Sequence, residues 1–491
     1  QTLKESELSE SELSESEIET NDDQDINQEF QLIDRIPKDI LDKITELKVS
    51  ILNSGCIYIK FSQWYVSNKL TTYPDIINLF EDIFDQCPYH DDNLTYEILK
   101  NELELDDESL NKYLNISTLE RIASGSIGQV YKCQLIEPVN NIKDVIIKVK
   151  HPNLDKQIEE FSYIMSWLTY IQSIKYFRKK LNLYMDFEGF MENIYLQINF
   201  NNEANNGRKF KELYKDCPTV YIPEIIKSTE SILIAEFVET IDFNDLSEYQ
   251  KMLNILNLFG FVYESLAITN FIHGDLHHKN WAIKKNEDED TKNINKYKLV
   301  IFDYGICFSS ESVNFNTKIW NCIEQANLYE LINLIKHSRG KSDLSHYINN
   351  NLPIPIKGEL YENIEKLNKL IPGTSTKDVF TCINIALEME DVVICKFIMN
   401  IVSVLFMIEK YLLKYNFYVK TNYSNYNVNH YHNAKLEVLS FCESKNTFPR
   451  LVPHLKEITK ELNYNKDRIS KEEVNYCLFN SLNSSKLVFK P

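Results

Sequence analysis

The segment 271–308 constrains this chain more than any other part of the sequence. It contains His-Gly-Asp ending at Asp275, then Asn280, and then Asp-Tyr-Gly beginning at Asp303 directly after an apolar run. A carboxylate and an amide oxygen that converge from two short loops suit Mg²⁺, which prefers oxygen ligands. We expect Asp275 to orient or deprotonate an acceptor, and Asn280 and Asp303 to hold Mg²⁺ against the phosphates of ATP. The order of the motifs predicts a phosphoryl-transfer site.

A second group of candidate residues lies in a predicted antiparallel sheet. The segments 115–135 and 143–150 alternate as strands do, around a loop of small residues. The loop candidates, whose main-chain N–H groups can approach a phosphate, are Ala123, Ser124, Gly125, Ser126 and Gly128. Lys148 on the following strand is expected to reach the α- and β-phosphates, although an ordinary strand-edge lysine is an equal alternative. Glu203, on a later helix, is the first acid well placed to fix that lysine.

Two further strands are predicted around a turn at residues 228–231. The apolar run 232–235 is followed by Glu236, Phe237 and Val238. This pattern is typical of a strand that ends in a hinge, where backbone groups meet the adenine ring. Glu236 and Val238 are therefore candidate nucleotide-binding residues.

Composition limits the choice of partners. The formal net charge is −19, and the first 30 residues contribute eleven acidic side chains against one lysine. A nucleic-acid-binding surface is disfavoured by this charge. The ten cysteines are scattered without a CxxC pair, which favours a reduced intracellular compartment such as the cytoplasm. The apolar run 392–408 is interrupted by Lys396 and Asn400, which favours a buried helix over a membrane span.

The predicted organisation has five parts, which follow changes in hydrophobic period along the chain. They are a disordered acidic tail (1–30), a helical extension (31–114), a β-rich lobe with a helical insertion (115–240), a helical lobe (241–415), and a linker with further helices (416–491). Within these parts we expect an amphipathic helix that begins at Pro74 and a polar hairpin loop at 286–296 between two short strands. We also expect an Asn/Tyr-rich linker at 422–434 and two helices beyond it, the second after residue 465. Taken together, these parts predict an α+β fold with two lobes.

The motifs in this order resemble the UbiB/ADCK family of atypical protein-kinase-like proteins. The matching sequences, IYIKFSQW, ASGSIGQVYKC, VIIKVKHP, NNEANN, HGDLHHKN and FDYG, span roughly residues 50–310. The resemblance implies a two-lobe protein-kinase-like fold, ATP with Mg²⁺, and an association with ubiquinone-type lipid metabolism on membranes, which would make peripheral membrane contact an alternative to a purely cytoplasmic location. It also implies that Lys60 and Gln63 belong to an N-terminal motif that packs over the nucleotide pocket and restricts the space for a protein substrate.

Three departures from the family pattern stand out. Ser62 occupies the position between Lys60 and Gln63 where the family usually has glycine, and Gly125 interrupts a loop that is usually alanine-rich. Gln197 and Asn199 stand where the family has two acids facing the motif lysine. Neutral amides can still bond Lys60 but lack the charge that strengthens such contacts. We therefore expect the N-terminal helices to be held more loosely over the pocket.

Three functional hypotheses remain open from the sequence. The first is an active Mg²⁺-dependent phosphotransferase or ATPase, with an unidentified protein or small molecule as acceptor. The second is a small-molecule kinase of the choline or aminoglycoside kinase type, because HGDLHHKN resembles their catalytic loop. The third is a nucleotide-binding scaffold without turnover, whose acidic tail and C-terminal helices bind a partner.

Overall fold

A computed structural model of the chain describes residues 38–68, 89–181, 183–286, 296–310, 312–324, 328–338, 396–414 and 430–464. The acidic tail, the amphipathic helix expected after Pro74 and the last predicted helix after residue 465 lie outside these segments. The expected linker at 422–434 lies outside them up to residue 429, and its last residues, 430–434, begin a helix (His430–Lys445) instead.

The described elements alternate between helical segments and short sheets. The helices are α1 (Lys38–Ser54), α2 (Cys56–Asn68), α3 (Asp92–Leu103), α4 (Asp107–Tyr113), α5 (Leu154–Ser173), α6 (Lys175–Lys180), α7 (Phe187–Gln197), α8 (Phe200–Tyr214), α9 (Glu248–Glu264), α10 (Val313–Glu324), α11 (Leu328–Ser338), α12 (Lys396–Lys414), α13 (His430–Lys445) and α14 (Leu451–Tyr464). The strands are β1 (Leu114–Ser124), β2 (Gly128–Val139), β3 (Ile142–Lys150), β4 (Val220–Tyr221), β5 (Ile225–Ser228), β6 (Ile232–Glu236), β7 (Ile272–His273), β8 (Trp281–Lys285), β9 (Tyr297–Ile301) and β10 (Cys307–Phe308).

The N-terminal lobe is built on a five-stranded antiparallel sheet in the order β1-β2-β3-β6-β5. Side chains alternate across it, so Val145, Ile147 and Val149 are buried on one face, in the same cluster as Leu99 and Leu103 of α3. Lys148 therefore belongs to the opposite face, the side of α8. The strand pattern predicted from the sequence is confirmed.

The C-terminal lobe packs helices around α9, a helix with buried residues on every side in its second half. A capping box between Ser247 and Gln250 satisfies the first N–H groups of α9. The hairpin β8–β9 lies beside it, and β4 pairs with β9 in parallel. The two predicted strands flanking 286–296 are confirmed, while most of the loop between them lies outside the described residues.

The C-terminal helices share the core of this lobe. Val438 and Cys442 of α13, and Leu451 and Leu455 of α14, are buried in the same cluster as Phe259 of α9. Arg450 reaches across to the buried Glu264, with Nε 3.0 Å from Oε1. These helices thus stabilise the lobe that carries Asp275, Asn280 and Asp303.

One helix in the described part of the chain, Glu248–Thr269, is long and apolar enough to cross a membrane. Most of it is buried inside the molecule, in the position of a core helix. The expected helix over 392–408 corresponds to α12, whose described residues Ile401, Val404 and Leu405 are buried in the C-terminal lobe.

Candidate active site

The site lies where the two lobes meet, and its central feature is a triad of charges. Lys148 Nζ lies 2.8 Å from Glu203 Oε2 and 3.1 Å from Oε1. The same ammonium group lies 3.5 Å from Asp303 Oδ2. The first two side chains are buried, with 14% and 4% exposed, whereas 45% of the Asp303 side chain is exposed. The structure thus brings β3, α8 and the Asp-Tyr-Gly segment to one point.

These charges shift one another's protonation. Burial raises the pKa of Glu203 above its ordinary value, against the opposing effect of Lys148. Burial acts on Asp303 in the same direction, but the positive charges of Lys148 and Lys60 hold its pKa well below the usual range. Asp303 is therefore a carboxylate at neutral pH, the form that a divalent cation requires.

The loop that carries Asp275 is attached to the Asp303 segment by His273. Burial lowers the pKa of this histidine. Its Nε2 lies 2.9 Å from the carbonyl oxygen of Phe302, and its Nδ1 accepts the main-chain N–H of Asp275 at 3.2 Å. Only the neutral ring with a proton on Nε2 can make both contacts. His273 therefore positions the loops that carry Asp275 and Asp303, a role that the sequence analysis did not assign.

Asn280 is buried and its amide is oriented by a hydrogen bond. Its Nδ2 donates to the carbonyl oxygen of Asp275 at 2.7 Å, which directs Oδ1 to the other side. Its own carbonyl accepts the N–H of Phe302 at 2.9 Å, and Trp281 pairs with Ile301. The first residues of β8 and the last of β9 therefore bring Asn280 next to Asp303.

Asp303 adopts a left-handed backbone conformation, with φ of 51°. Aspartate is one of the few residues other than glycine that tolerates this region. Its Oδ1 accepts the N–H of Gly305 at 3.2 Å, which fixes the carboxylate. The other oxygen, Oδ2, faces Lys148.

The small-residue loop is shorter than the sequence suggested, because Ala123 and Ser124 are the last residues of β1 and pair with Val130 and Gln129. Gly125 N–H donates to the carbonyl of Gly128 at 3.0 Å.

The end of β3 holds this loop in place. The N–H of His151 donates to the carbonyl of Ile127 at 3.0 Å, and its ring Nε2 lies 2.9 Å from the carbonyl of Gly125. A Cβ at Gly128 would lie 2.4 Å from the carbonyl oxygen of Val149, so only glycine fits there. Ser126 lies in the tip of the loop.

The hinge candidates lie at the end of β6. The side chain of Glu236 is already engaged, since it accepts hydrogen bonds from the Tyr221 hydroxyl at 2.5 Å and from the Glu224 N–H at 3.0 Å. Val238 is buried. Any contribution of this segment to adenine binding would come from its backbone.

Lys60 lies on α2, and its charge acts on Asp303. The amides of Gln197 and Asn199 are engaged locally: Gln197 donates to the carbonyl of Asn193 at 3.0 Å, and Asn199 accepts the Asn201 N–H as the N-cap of α8. Both amides thus satisfy nearby backbone groups, and the looser hold on the N-terminal helices stays a prediction. Gln63 lies on α2, but its side chain is outside the described part.

Aromatic packing holds α2 in place. Phe61 lies 5.4 Å from Phe161 of α5 and 5.5 Å from Phe190 of α7 between ring centroids, and Trp64 lies 4.6 Å from Phe190. These contacts attach the helix that carries Lys60 to the N-terminal lobe.

A close contact between α8 and the Asp-Tyr-Gly segment was not anticipated from the sequence. A Cβ at Gly207 would lie 2.9 Å from Cδ2 of the Tyr304 ring, and Asn206 Nδ2 donates to the Tyr304 carbonyl at 2.9 Å. Gly207 lies one helical turn after Glu203. The spacing of these residues offered only a weak signal, a glycine inside a helical pattern.

The family comparison agrees with this geometry. Residues 82–334 match the model of the ABC1 atypical kinase-like domain, which is more than half of the chain. The chain belongs to the ABC1 atypical kinase-like family. The resemblance drawn from the motifs is confirmed, as is the two-lobe kinase-like fold.

Several curated relatives share this domain. "Probable serine/threonine-protein kinase abkC" of Dictyostelium discoideum is 29% identical over 56% of this chain and 40% of its own length. "Protein ACTIVITY OF BC1 COMPLEX KINASE 3, chloroplastic" of Arabidopsis thaliana is 27% identical over 45% and 31%, respectively. "Probable protein kinase UbiB" of Shewanella woodyi is 25% identical over 50% and 45%. The chain thus spans less than half the length of each of these relatives.

Solved structures show more distant likenesses. The complex of Rv3197 with erythromycin from Mycobacterium tuberculosis has 16% identity and a TM-score of 0.38, over 66% of this chain and 80% of that chain. The Rio2 kinase-ADP/Mg²⁺-phosphoaspartate complex from Chaetomium thermophilum has 13% identity and a TM-score of 0.27, over 61% and 77%.

Proposed function

We propose that this protein binds ATP with Mg²⁺ between its lobes and acts as a phosphotransferase or ATPase of the ABC1 type. The observation that carries the proposal is the position of Lys148, which lies within 3.5 Å of both Glu203 and Asp303. One of these carboxylates comes from each lobe. A lysine fixed in this way would contact phosphate oxygens when a nucleotide enters.

The donor set fits Mg²⁺. Asp303 is half exposed and ionised, and Asn280 directs its oxygen away from the Asp275 carbonyl. Within the described segments, no group of three or more His, Cys, Asp or Glu side chains is placed to hold a metal ion. A metal held by Asn280 and Asp303 would therefore need phosphate and water ligands, which is how Mg²⁺ is usually bound. When bound, Mg²⁺ would neutralise charge on the phosphates.

The remaining chemistry is positioning and proton transfer by the chain itself. Lys148 would orient the phosphates, while the loop 125–128 would cover them with main-chain N–H groups. Asp275, whose N–H is fixed by His273, would accept a proton from an acceptor hydroxyl or from water. On the family resemblance alone, we also propose a role in intracellular lipid or quinone metabolism. Lipid alcohols should therefore be included among the acceptors tested.

The deciding experiment measures ATP binding and turnover on the same preparation. We expect ATP with Mg²⁺ to raise the melting temperature, and EDTA to remove the effect. ADP release should fall roughly 10²-fold or more in Asp275→Asn while nucleotide stabilisation persists. Transfer to small hydroxylated acceptors would identify the small-molecule kinase, and tight binding without turnover would identify the scaffold. Absence of any nucleotide-dependent stabilisation would overturn the proposal.

A further inference from the structure

The loop 125–128 is attached to the N-terminal lobe by a pair of histidines. His151 follows β3 directly and contacts the loop twice: its N–H donates to the carbonyl of Ile127 at 3.0 Å, and its ring Nε2 lies 2.9 Å from the carbonyl oxygen of Gly125. The other ring nitrogen, Nδ1, lies 2.8 Å from Nδ1 of His90, which stands just ahead of α3. The pair therefore joins the loop to the start of α3.

The other end of the loop is attached to the same place. Gln129 follows Gly128 directly and is fully buried. Its Oε1 accepts the main-chain N–H of His90, and its Nε2 donates to the hydroxyl of Tyr131. That hydroxyl donates to Oδ1 of Asp92, in the first turn of α3, at 2.8 Å. Both ends of the loop are thus held against residues 90–92, a segment far from the loop in the sequence.

The partners of the two rings decide where their protons lie. The carbonyl oxygen of Gly125 can only accept, so Nε2 of His151 carries a proton. In the neutral ring Nδ1 is then an acceptor, and the proton between the two rings belongs to Nδ1 of His90. The remaining nitrogen of His90 accepts the hydroxyl of Thr95 at 2.8 Å. Burial lowers the pKa of both rings, that of His90 to about 4, so this neutral arrangement is the one present at pH 7.

We propose that His90 and His151 are positioning residues for the loop 125–128, and that their contact increases the affinity of the site for ATP. The inference rests on the proposed nucleotide function. Loop residues as small as glycine and serine do little to fix their own backbone, so contacts from outside the loop determine where its N–H groups point. A loop that is ordered before the nucleotide arrives loses less entropy on binding.

This role differs from a purely structural one in what it changes. Loss of the pair should weaken nucleotide binding in the folded protein, at temperatures well below the melting transition. Turnover of bound ATP should stay within about twofold of the parent, because Lys148, Asp275 and Asp303 keep their contacts. A pair that only stabilises the lobe would lower the melting temperature and leave the affinity unchanged.

The test combines two measurements on the full chain. Amide hydrogen exchange of the segment 122–130 is followed without nucleotide, and calorimetric titration gives the dissociation constant for ATP with Mg²⁺. His151→Leu breaks both contacts of the ring, so exchange should accelerate and the dissociation constant should rise about tenfold. His151→Gln keeps a donor for the Gly125 carbonyl but offers no acceptor to His90, and should raise the constant only about threefold.

A second pair of variants tests whether His90 acts through His151. His90→Ala keeps the main-chain contacts of this residue with Gln129 but removes the ring, and should resemble His151→Gln. Combined with His151→Leu, it should cause no further loss of affinity, because the contact between the rings is already broken. Additive losses in the double variant would overturn the proposal.

The control is Thr118→Val, in the same sheet. The Thr118 hydroxyl donates to the carbonyl of Asn115 at 2.7 Å and accepts the N–H of Gln134 at 3.0 Å, away from the loop. This variant should melt at a lower temperature with unchanged loop exchange and affinity. Unchanged exchange in His151→Leu, or faster exchange without loss of affinity, would overturn the proposal. A parent protein that binds no nucleotide would overturn the proposed function and the effect on affinity with it, whereas the exchange data would still show whether the pair holds the loop.

Discussion

The two lobes hold their site residues in different ways. In the N-terminal lobe, the buried side chains of Lys148 and Glu203 fix each other through two contacts of 2.8 and 3.1 Å. In the C-terminal lobe, main-chain groups and the ring of His273 position Asp275, Asn280 and Asp303. The pair in the N-terminal lobe is therefore removed from water. The carboxylates of the C-terminal lobe remain partly exposed to solvent.

This difference predicts which variants affect folding and which affect ligands. Removing one member of a buried ion pair leaves an uncompensated charge, so the cost falls on stability. Replacing a side chain whose oxygen is held in place by main-chain groups should change the free energy of unfolding little. Its effect should appear when a cation or phosphate binds. The four predictions below, from the largest effect to the smallest, test this distinction.

Asp303→Asn should have the largest effect, and it should fall on the liganded state. Asparagine tolerates the left-handed backbone at this position, so the loop should be retained while the charge that we propose holds the metal is lost. We expect the Mg²⁺-dependent rise in melting temperature with ATP to disappear and turnover to fall roughly 10²–10³-fold. The exposed Asp216→Asn variant is the control. An unchanged shift in Asp303→Asn would refute the metal assignment.

Glu203→Gln should act mainly on the protein without ligand. Lys148 would keep its ion pair with Asp303 but lose the closer one with Glu203. Because the pair is buried, the free energy of unfolding should fall by about 3 kcal/mol. The control is Glu212→Gln in the same helix, which breaks an exposed pair with Lys215 and should cost about 0.5 kcal/mol or less. Chemical denaturation measures both. Equal losses would show that burial does not distinguish the two pairs.

Gly207→Ala tests the packing that joins the lobes. The added methyl group would lie 2.9 Å from the Tyr304 ring, so α8 or the ring must move, at about 1–3 kcal/mol. The control is Asn205→Ala, at an exposed position of the same helix, which leaves the contact between Gly207 and Tyr304 intact. Nucleotide affinity should weaken in the first variant only. Similar affinity in both would mean that Tyr304 does not help to position Asp303.

Acid should weaken the N-terminal lobe slightly, through His90 and His151, whose Nδ1 atoms are 2.8 Å apart. Burial, and for His90 also the charge of its neighbour, lower both pKa values, that of His90 to about 4 from 6.5. The unfolded chain therefore binds protons on these rings at a higher pH than the native chain does. Stability is fully present above about pH 6.5 and falls as the pH decreases toward 4.

Melting curves between about pH 7 and pH 5 measure this effect. His151→Gln should make the pH dependence shallower, whereas the exposed His278→Gln should leave it unchanged. A steeper dependence in His151→Gln would contradict the assignment.

Local sequence patterns were sufficient for the elements of the fold. Alternation over 143–150 predicted β3. The polar segment 286–296 between two apolar runs predicted the β8–β9 hairpin. Such signals are short-range, because strand and helix periods are written in neighbouring residues. Lys148, Glu203 and Asp303 were nominated from their motifs, but their convergence within 3.5 Å was only an expectation.

The sequence by itself determined the types of residue available for phosphate and metal chemistry, and their order along the chain. The tertiary structure decided which of them meet: His273 joins two loops, Gly207 admits Tyr304, and Gln197 and Asn199 bond local backbone groups. It also decided that one apolar stripe of α5 faces the core and the other does not. The physical reason is that hydrophobic period specifies an element and its faces, whereas contact between distant elements depends on how those faces pack.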